Sequence, residues 1–421
     1  MEYTLDNGLH VILHEDNTVP IVAVSVLYHV GSKNEDPDRT GFAHFFEHLL
    51  FEGSKHLERG DFDKYVEGNG GYLNANTSWD RTFYFDMLPS NQLALGLWLE
   101  SERMLHAKVE QIGIETQRKV VKEERRTRVD NQPYGRIFEE ICALAYTEHP
   151  YKWPVIGYME HLDAAQEEDY VNFYNTFYVP NNAVLSIAGD INVEEAKALV
   201  EKYFADIPRG EGEIPRPNVV EPAKGKEVRG KAYDNIQLPA IIHAYNTPAQ
   251  GTDDFYALEM LGMLLSGGQS SRMYKSLVDE KQMALQAGAF PLNTEDPGLM
   301  IAYTIANAGV NKKEIEAAME LEYERVKNEL ISEREFQKLR NQMENDFISS
   351  NTSIAGIAES LANYHIYFGD ANLINTEIDR YMAVTREDIK RVANQYLQKE
   401  NRITLLYLSN DEKGKDDDDN P

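Results

Sequence analysis

Two imidazoles and a carboxylate stand together in His44-Phe45-Phe46-Glu47-His48, a set of groups that can hold a divalent metal and place a base beside it. At 100° per residue, positions 44 and 48 lie about 40° apart around a helix, so both rings reach one ion and Glu47 falls on the same side. Zinc takes neutral imidazole nitrogens at roughly 2.0–2.1 Å, and a hydrolytic zinc site uses three protein ligands with a fourth position left for water. The motif offers two, so a third must come from elsewhere. The single cysteine, Cys142, excludes an internal disulfide and any paired-thiolate site, which leaves nitrogen and oxygen ligands.

The motif reads as a short, mostly buried helix. Asp38 and Thr40 are its candidate N-caps, Gly41 allows a close approach, and Phe42, Phe45, Phe46, Leu49 and Leu50 supply apolar cover before Gly53 stops the run. Upstream, alternating segments around Asn7-Gly8 predict a hairpin-like start, and residues 21–30 a longer strand. Downstream come a helix over 60–68, a break at Gly70-Gly71, strands over 72–76 and 82–88, helices over 92–103 and 109–128, and a strand over 182–189. Residues 208–230 are rich in Pro, Gly and charge and read as an interdomain linker.

Past the linker, a strand over 238–245 and a helix over 255–265 repeat the order of 21–30 and 41–53. The chain reads as a degenerate duplication with metal ligands only in the first copy. The second copy's helix carries Leu258, Met260, Leu261, Met263 and Leu264, plain core residues. The expected division is an N-terminal zinc-binding domain at 1–208, a linker at 209–232, a homologous domain without metal at 233–410 and an acidic tail at 411–421.

Composition bounds the function. A chain of 421 residues with 42% hydrophobic and 10% aromatic residues is long and apolar enough to bury two cores. No apolar run approaches the roughly 20 residues of a membrane span. With 42 Lys and Arg against 70 Asp and Glu the net charge is −28, which repels phosphate backbones and argues against a nucleic-acid partner. The same balance suits either a solubilising surface or basic, unfolded peptide substrates. Met1 lies so close to the first strand that a removed signal peptide is compatible with the sequence, and localisation stays open between bacterial periplasm and cytoplasm.

Glu124 lies on a charged amphipathic segment, 119–126, 76 residues beyond His48, with Glu123 as the alternative one position away. At this point the chain resembles the M16 family of zinc peptidases, the inverzincins with an inverted HxxEH motif. The resemblance runs from Leu5-Asp6-Asn7-Gly8-Leu9 through the motif helix, Asn74-Ala75-Asn76-Thr77-Ser78, and Ala188-Gly189-Asp190 to Ser270-Ser271-Arg272-Met273-Tyr274. It is nearest to the processing-peptidase-like subgroup, M16B. The resemblance implies an α+β fold of two similar tandem domains, each an antiparallel-rich sheet flanked by helices. It implies Zn2+ held by His44, His48 and Glu124, with Glu47 as general base, and Leu73, Asn74, Ala75 and Asn76 as an edge strand that binds extended peptide backbone.

Two positions depart from the family pattern. Where a supporting acidic residue commonly precedes the glutamate ligand by seven positions, this chain has Gln117, an amide that adds no negative charge; Glu115 could compensate only if the helix were rotated or distorted. Where solitary members carry an Arg and a Tyr seven residues apart in the second half, this chain has Val278 and Leu285. Arg272 and Tyr274 lie nearby with the wrong spacing and read as structural. The expectation is a metalloendopeptidase subunit whose partner, a homologous chain, supplies the Arg and Tyr. The alternative is a non-catalytic scaffold of the same fold, as in respiratory core proteins. A peptidase restricted to one precursor would share the chemistry.

Overall fold

Residues 21–28 bury side chains on both faces: Val22, Val24 and Val26 on one, Ala23 and Leu27 on the other. A strand of that kind needs cover on both sides. It lies inside a six-stranded sheet, in the computed structural model of residues 1–414, whose members are β1 (Glu2–Thr4), β2 (His10–Glu15), β3 (Ile21–Tyr28), β4 (Tyr72–Thr77), β5 (Thr82–Pro89) and β6 (Ala183–Gly189). The order is β1-β2-β6-β3-β5-β4, so among the described residues β4 pairs only with β5 and forms an edge. The aspartates at 416–419 lie outside the described residues.

The second sheet contains β7 (Val228–Asp234), β8 (Ala240–Asn246), β9 (Ala284–Pro291), β10 (Leu299–Ala306) and β11 (Arg402–Ser409), ordered β7-β11-β8-β10-β9. Its β7 and β11 are parallel and its other pairs antiparallel; β2 and β6 of the first sheet are likewise parallel and β6-β3-β5-β4 antiparallel. Strand for strand, β7 to β11 repeat β2 to β6. The fold is therefore α+β with two similar domains, and the helix after β8, Asp253–Ser266, stands where Phe42–Leu49 stands after β3. No helix among the described residues is long and apolar enough to cross a membrane.

Two compact units hold the sheets, and both are discontinuous: 1–125 with 153–218 and 347–376, and 126–152 with 219–346 and the residues from 377 on. One crossing, after Asn218, falls inside the expected linker. The other four arise because each sheet covers its second face with a helix from far along the chain. In the first unit, helix Ile354–Phe368 places Leu361 and Ala362 on Ile12, Leu27, Phe83 and Val184, and Ile354 and Ala358 on Ala23 and Ala188. In the second unit, helix Ile137–Ala145 lies on β7, β8 and β11.

Arg103, 1% exposed, lies inside the first unit. Its guanidinium sits 4.4–4.6 Å from the rings of Phe51, Phe62 and Tyr84, its Nε donates to both oxygens of Glu100 at 3.2 Å, and its Nη1 donates to the Leu50 carbonyl at 2.8 Å. Asp86, fully buried in the middle of β5, shares this environment. Burial pushes both carboxyls up, Asp86 well above its ordinary value with Glu100 adding to the rise, while Arg103 opposes it. Because Glu100 holds the guanidinium, Asp86 is the carboxyl pushed up more strongly of the two.

Unfolded, Asp86 titrates near 3.9, so between that value and the raised folded one the folded chain holds a proton the unfolded chain has lost. Its contribution to stability therefore falls as pH rises through the interval, by about 1.4 kcal/mol per pH unit. Asp86→Asn, isosteric and uncharged, is expected to remove that slope and to match or exceed the wild-type stability at neutral pH. Urea unfolding of both proteins from pH 5 to 8 checks this, and parallel profiles would show that Asp86 is ionised in the folded protein.

Candidate metal centre

The motif helix spans Phe42–Leu49 and is buried on nearly all sides. Phe42 stacks on Tyr170 at 4.5 Å between ring centroids and Phe46 on Phe173 at 5.6 Å, which fixes the helix's rotation. Its N-cap is Gly41, with φ +92°; a Cβ there would stand 2.8 Å from the Ile156 carbonyl oxygen. Neither expected cap serves the helix. Asp38 is exposed, and Thr40 Oγ1 lies 2.9 Å from His161 Nδ1 while accepting the Tyr158 N–H at 3.1 Å.

The capping role falls to Glu35, whose two buried carboxylate oxygens accept the N–H groups of Gly41 and Ala43, each at 2.8 Å. Burial raises its carboxyl well above the ordinary range against the lowering by these N–H groups. A carboxylate here satisfies donors that the helix leaves unpaired and complements the positive end of its dipole. At the other end the Leu50 carbonyl is held by Arg103. Both ends of the short helix are thus pinned by side chains from outside it.

Helix Gln111–Arg125 packs against the motif helix and brings Glu124 to it. Glu124 Oε2 lies 3.0 Å from His48 Nε2 and 3.6 Å from His44 Nε2, and one donor atom from each of the three residues lies within 4.8 Å of the others. Ligands on a tetrahedral zinc stand roughly 3.3 Å apart at these bond lengths, so the donor set fits the ion. The orientation of the rings fits as well. An imidazole lone pair lies in the ring plane, so one ion must lie in both planes, and the His44 and His48 rings cross at 71° with centroids 4.9 Å apart. Glu123, the alternative, points to the exposed side.

The helix expected over 109–128 differs at its end. Directly after Arg125 the winding loosens to a π-helix, Arg126–Asp130, which starts two residues past Glu124 and at the point where the chain leaves the first unit. Such π segments recur at functional sites because they shift the side-chain register within a helix.

Glu47 is half-buried, and its Oε2 accepts a hydrogen bond from Thr77 Oγ1 at 2.6 Å. Thr77 ends β4, so the edge strand is joined directly to the carboxylate of the motif. Along β4, Leu73 and Ala75 face the core and Asn74 and Asn76 face out. Asn74 Oδ1 accepts the Ala75 N–H at 2.9 Å, and Asn76 Oδ1 accepts from Arg81 Nη1 at 2.6 Å.

Gln117 lies two turns before Glu124 on the same helix face and is buried. Its Nε2 donates to Glu52 Oε1, an oxygen that Arg59 Nε also approaches at 3.3 Å. Glu115 is engaged by Gln111 at 2.9 Å and by Arg118. In the second unit Val278 packs on the core from the π-helix Tyr274–Glu280, Leu285 is 55% exposed on β9, and Arg272 forks onto Glu335 at 3.1 and 3.2 Å.

Three contributors escape sequence reasoning: Glu35, Thr77 and Glu52. Thr77 carries a signal in hindsight, since it falls on the same strand face as Leu73 and Ala75; Glu35 and Glu52 carry none.

Residues 10–158 match the family model described as insulinase (peptidase family M16), and residues 165–343 the one described as peptidase M16 inactive domain. A zinc protease, PqqE, of Helicobacter pylori is 33% identical over 408 residues, covering 96% of this chain and 91% of the relative. The mitochondrial-processing peptidase subunit beta of Blastocladiella emersonii is 26% identical over 402 residues, covering 93% and 85%. The crystal structure of a protease from Helicobacter pylori superposes with a TM-score of 0.92 at 31% identity, covering 97% of this chain and 98% of the other. The periplasmic protease PqqL of Escherichia coli shares the fold with a TM-score of 0.79 at 19% identity, over 99% of this chain and 48% of that one.

Proposed function

Because the chain belongs to peptidase family M16, we propose that it is the HxxEH-bearing subunit of a zinc metalloendopeptidase that cleaves extended, unfolded peptides. One observation carries this reading: His44, His48 and Glu124 converge while Glu47 is tied through Thr77 to a free sheet edge. His44, His48 and Glu124 would hold the zinc, which when bound polarises the scissile carbonyl and acidifies water.

Glu47 takes a proton from the attacking water and returns it to the leaving amine. Thr77 donates to Oε2, so the proton travels on Oε1, and the short bond keeps the carboxylate from swinging away between the two transfers. The unpaired edge of β4 aligns the substrate as an added strand, recognised through main-chain hydrogen bonds. Leu73, Asn74, Ala75 and Asn76 then read backbone more than side chain, and broad sequence tolerance follows.

Val278 and Leu285 donate no hydrogen bond to a developing oxyanion, and relatives include subunits named for a processing peptidase. A homologous partner that supplies an Arg and a Tyr completes the reading. Gln117, turned onto Glu52, leaves the metal's surroundings one charge less negative than an acidic residue would.

The competing reading is a scaffold without catalysis. Zinc content and hydrolysis of an unfolded peptide, measured with the homologous partner present, separate the two. Activity abolished by a chelator and restored by zinc is expected. A protein that takes up no zinc through His44 and His48 and stays inactive in both states would be the scaffold.

A further inference from the structure

A second group of two histidines and a carboxylate lies in the first unit, away from the HxxEH motif in sequence: His56, Glu102 and His106, whose donor atoms all lie within 4.8 Å of one another. Glu102 and His106 are four residues apart on helix Leu93–His106 and so share a face. His56 comes from the loop after the motif helix. A short antiparallel clasp holds that loop to the helix end: the Lys55 N–H donates to the His106 carbonyl at 2.9 Å, the Lys108 N–H donates to the Gly53 carbonyl at 3.1 Å, and Ser54 pairs with Ala107. Gly53, with φ +123°, makes the turn.

The carboxylate is set for ligation. Glu102, 5% exposed, accepts from Ser54 Oγ at 2.5 Å on Oε2, which directs Oε1 to His56 Nδ1 at 2.9 Å. A hydrogen-bonded, oriented carboxylate of this kind is what metal sites use to fix a ligand. The His106 ring has no hydrogen-bond partner among the described residues and meets the His56 ring edge-on, at 86° and 5.4 Å between centroids. Crossed planes let one ion lie in both, as at His44 and His48.

That criterion separates this cluster from a third one, Glu2, His10 and His365. There the two rings stack at 3.5 Å with only 9° between planes. Nearly parallel planes at that spacing have no common point within bonding distance, so one ion cannot serve both lone pairs. Stacking explains that pair; it does not explain His56 and His106.

We propose that His56, Glu102 and His106 form a second, structural site for a divalent transition ion of the zinc class. Two imidazole nitrogens and one carboxylate oxygen suit zinc, cobalt, nickel or copper(II) and not magnesium or calcium. The ion would fasten the loop leaving the motif helix to the segment that runs from His106 into helix Gln111–Arg125. Those two connections lead from the histidines of the first site to its glutamate, so the second ion braces the supports of the first without touching substrate.

The test counts zinc by mass spectrometry in the full chain after loading with zinc sulfate and gel filtration. Wild type is expected to retain two ions per chain, His56→Ala or His106→Ala one, His44→Ala with His48→Ala one, and all four changes none. The His56 side chain is 51% exposed, so its removal leaves the fold intact, and circular dichroism of each variant checks this. A melting temperature that rises with zinc in the variant lacking His44 and His48, and not in the variant lacking all four, is expected as well. A count of one in wild type, or a count unchanged by both His56→Ala and His106→Ala, overturns the proposal. Because neither readout is catalysis, the second site can fail while the peptidase reading stands.

Discussion

Glu47→Gln is expected to lower kcat by about 10²–10⁴ while zinc content, melting temperature and KM stay near wild type. Glutamine keeps the length and volume of glutamate, and its carbonyl oxygen can still accept from Thr77, so the motif helix and the edge strand stay joined. What it lacks is a group that takes a proton at neutral pH. A loss confined to kcat is the mark of an interaction made only in the transition state. Turnover of an unfolded peptide, assayed with the partner present and with bound zinc counted in both proteins, decides the matter. Near-normal turnover with zinc in place would remove Glu47 from proton transfer.

The second large effect concerns the missing donors. The chain assayed alone is expected to hydrolyse peptide at least about 10²-fold more slowly than the same chain mixed with a homologue that carries the Arg and Tyr but no HxxEH. Removing one oxyanion donor costs about 10²–10³ in kcat, or about 2.7–4 kcal/mol. Val278 packs into a core and Leu285 presents only carbon to solvent. Arg272 is committed to Glu335 through two hydrogen bonds, which makes it a poor substitute. Steady-state rates across a titration of the second chain give the measurement. Full activity of the chain by itself would mean that the oxyanion is stabilised by groups other than a partner's.

Much of this was legible in the residues because it is local. HxxEH shows its helix through spacing, β4 shows its alternation, and the order of strand and helix repeats clearly enough to reveal the duplication that the matching strand orders bear out. Helix ends were less legible. Asp38 and Thr40 had the right chemistry for caps, but a buried carboxylate from Glu35 reached the same N–H groups, and nothing in a linear pattern marks a cap that arrives from six residues upstream of Gly41.

Pairings between distant residues left no trace at all. Gln117 with Glu52, and Asp86 beside the Arg103 guanidinium, are decided by packing, and neither Glu52 nor Asp86 shows its partner in the sequence. The same holds for the docking of helices Ile137–Ala145 and Ile354–Phe368. Their amphipathic faces say that each must be covered, and composition does not say by which sheet.

The late arrival of helix Ile354–Phe368 in the first unit bears on how the protein is made. Ile12, Leu27, Phe83 and Val184 belong to strands synthesised within the first 189 residues, yet the side chains that shield them, Leu361 and Ala362, emerge only after another 170 or so. During that time the nascent chain carries a sheet with one apolar face wet, a surface that invites association with other chains. The sheet can close only through contacts of very long sequence separation, which makes its last folding step slow. A chain whose first unit cannot finish until nearly all of it has left the ribosome has His44, His48 and Glu124 assembled on a framework that matures last.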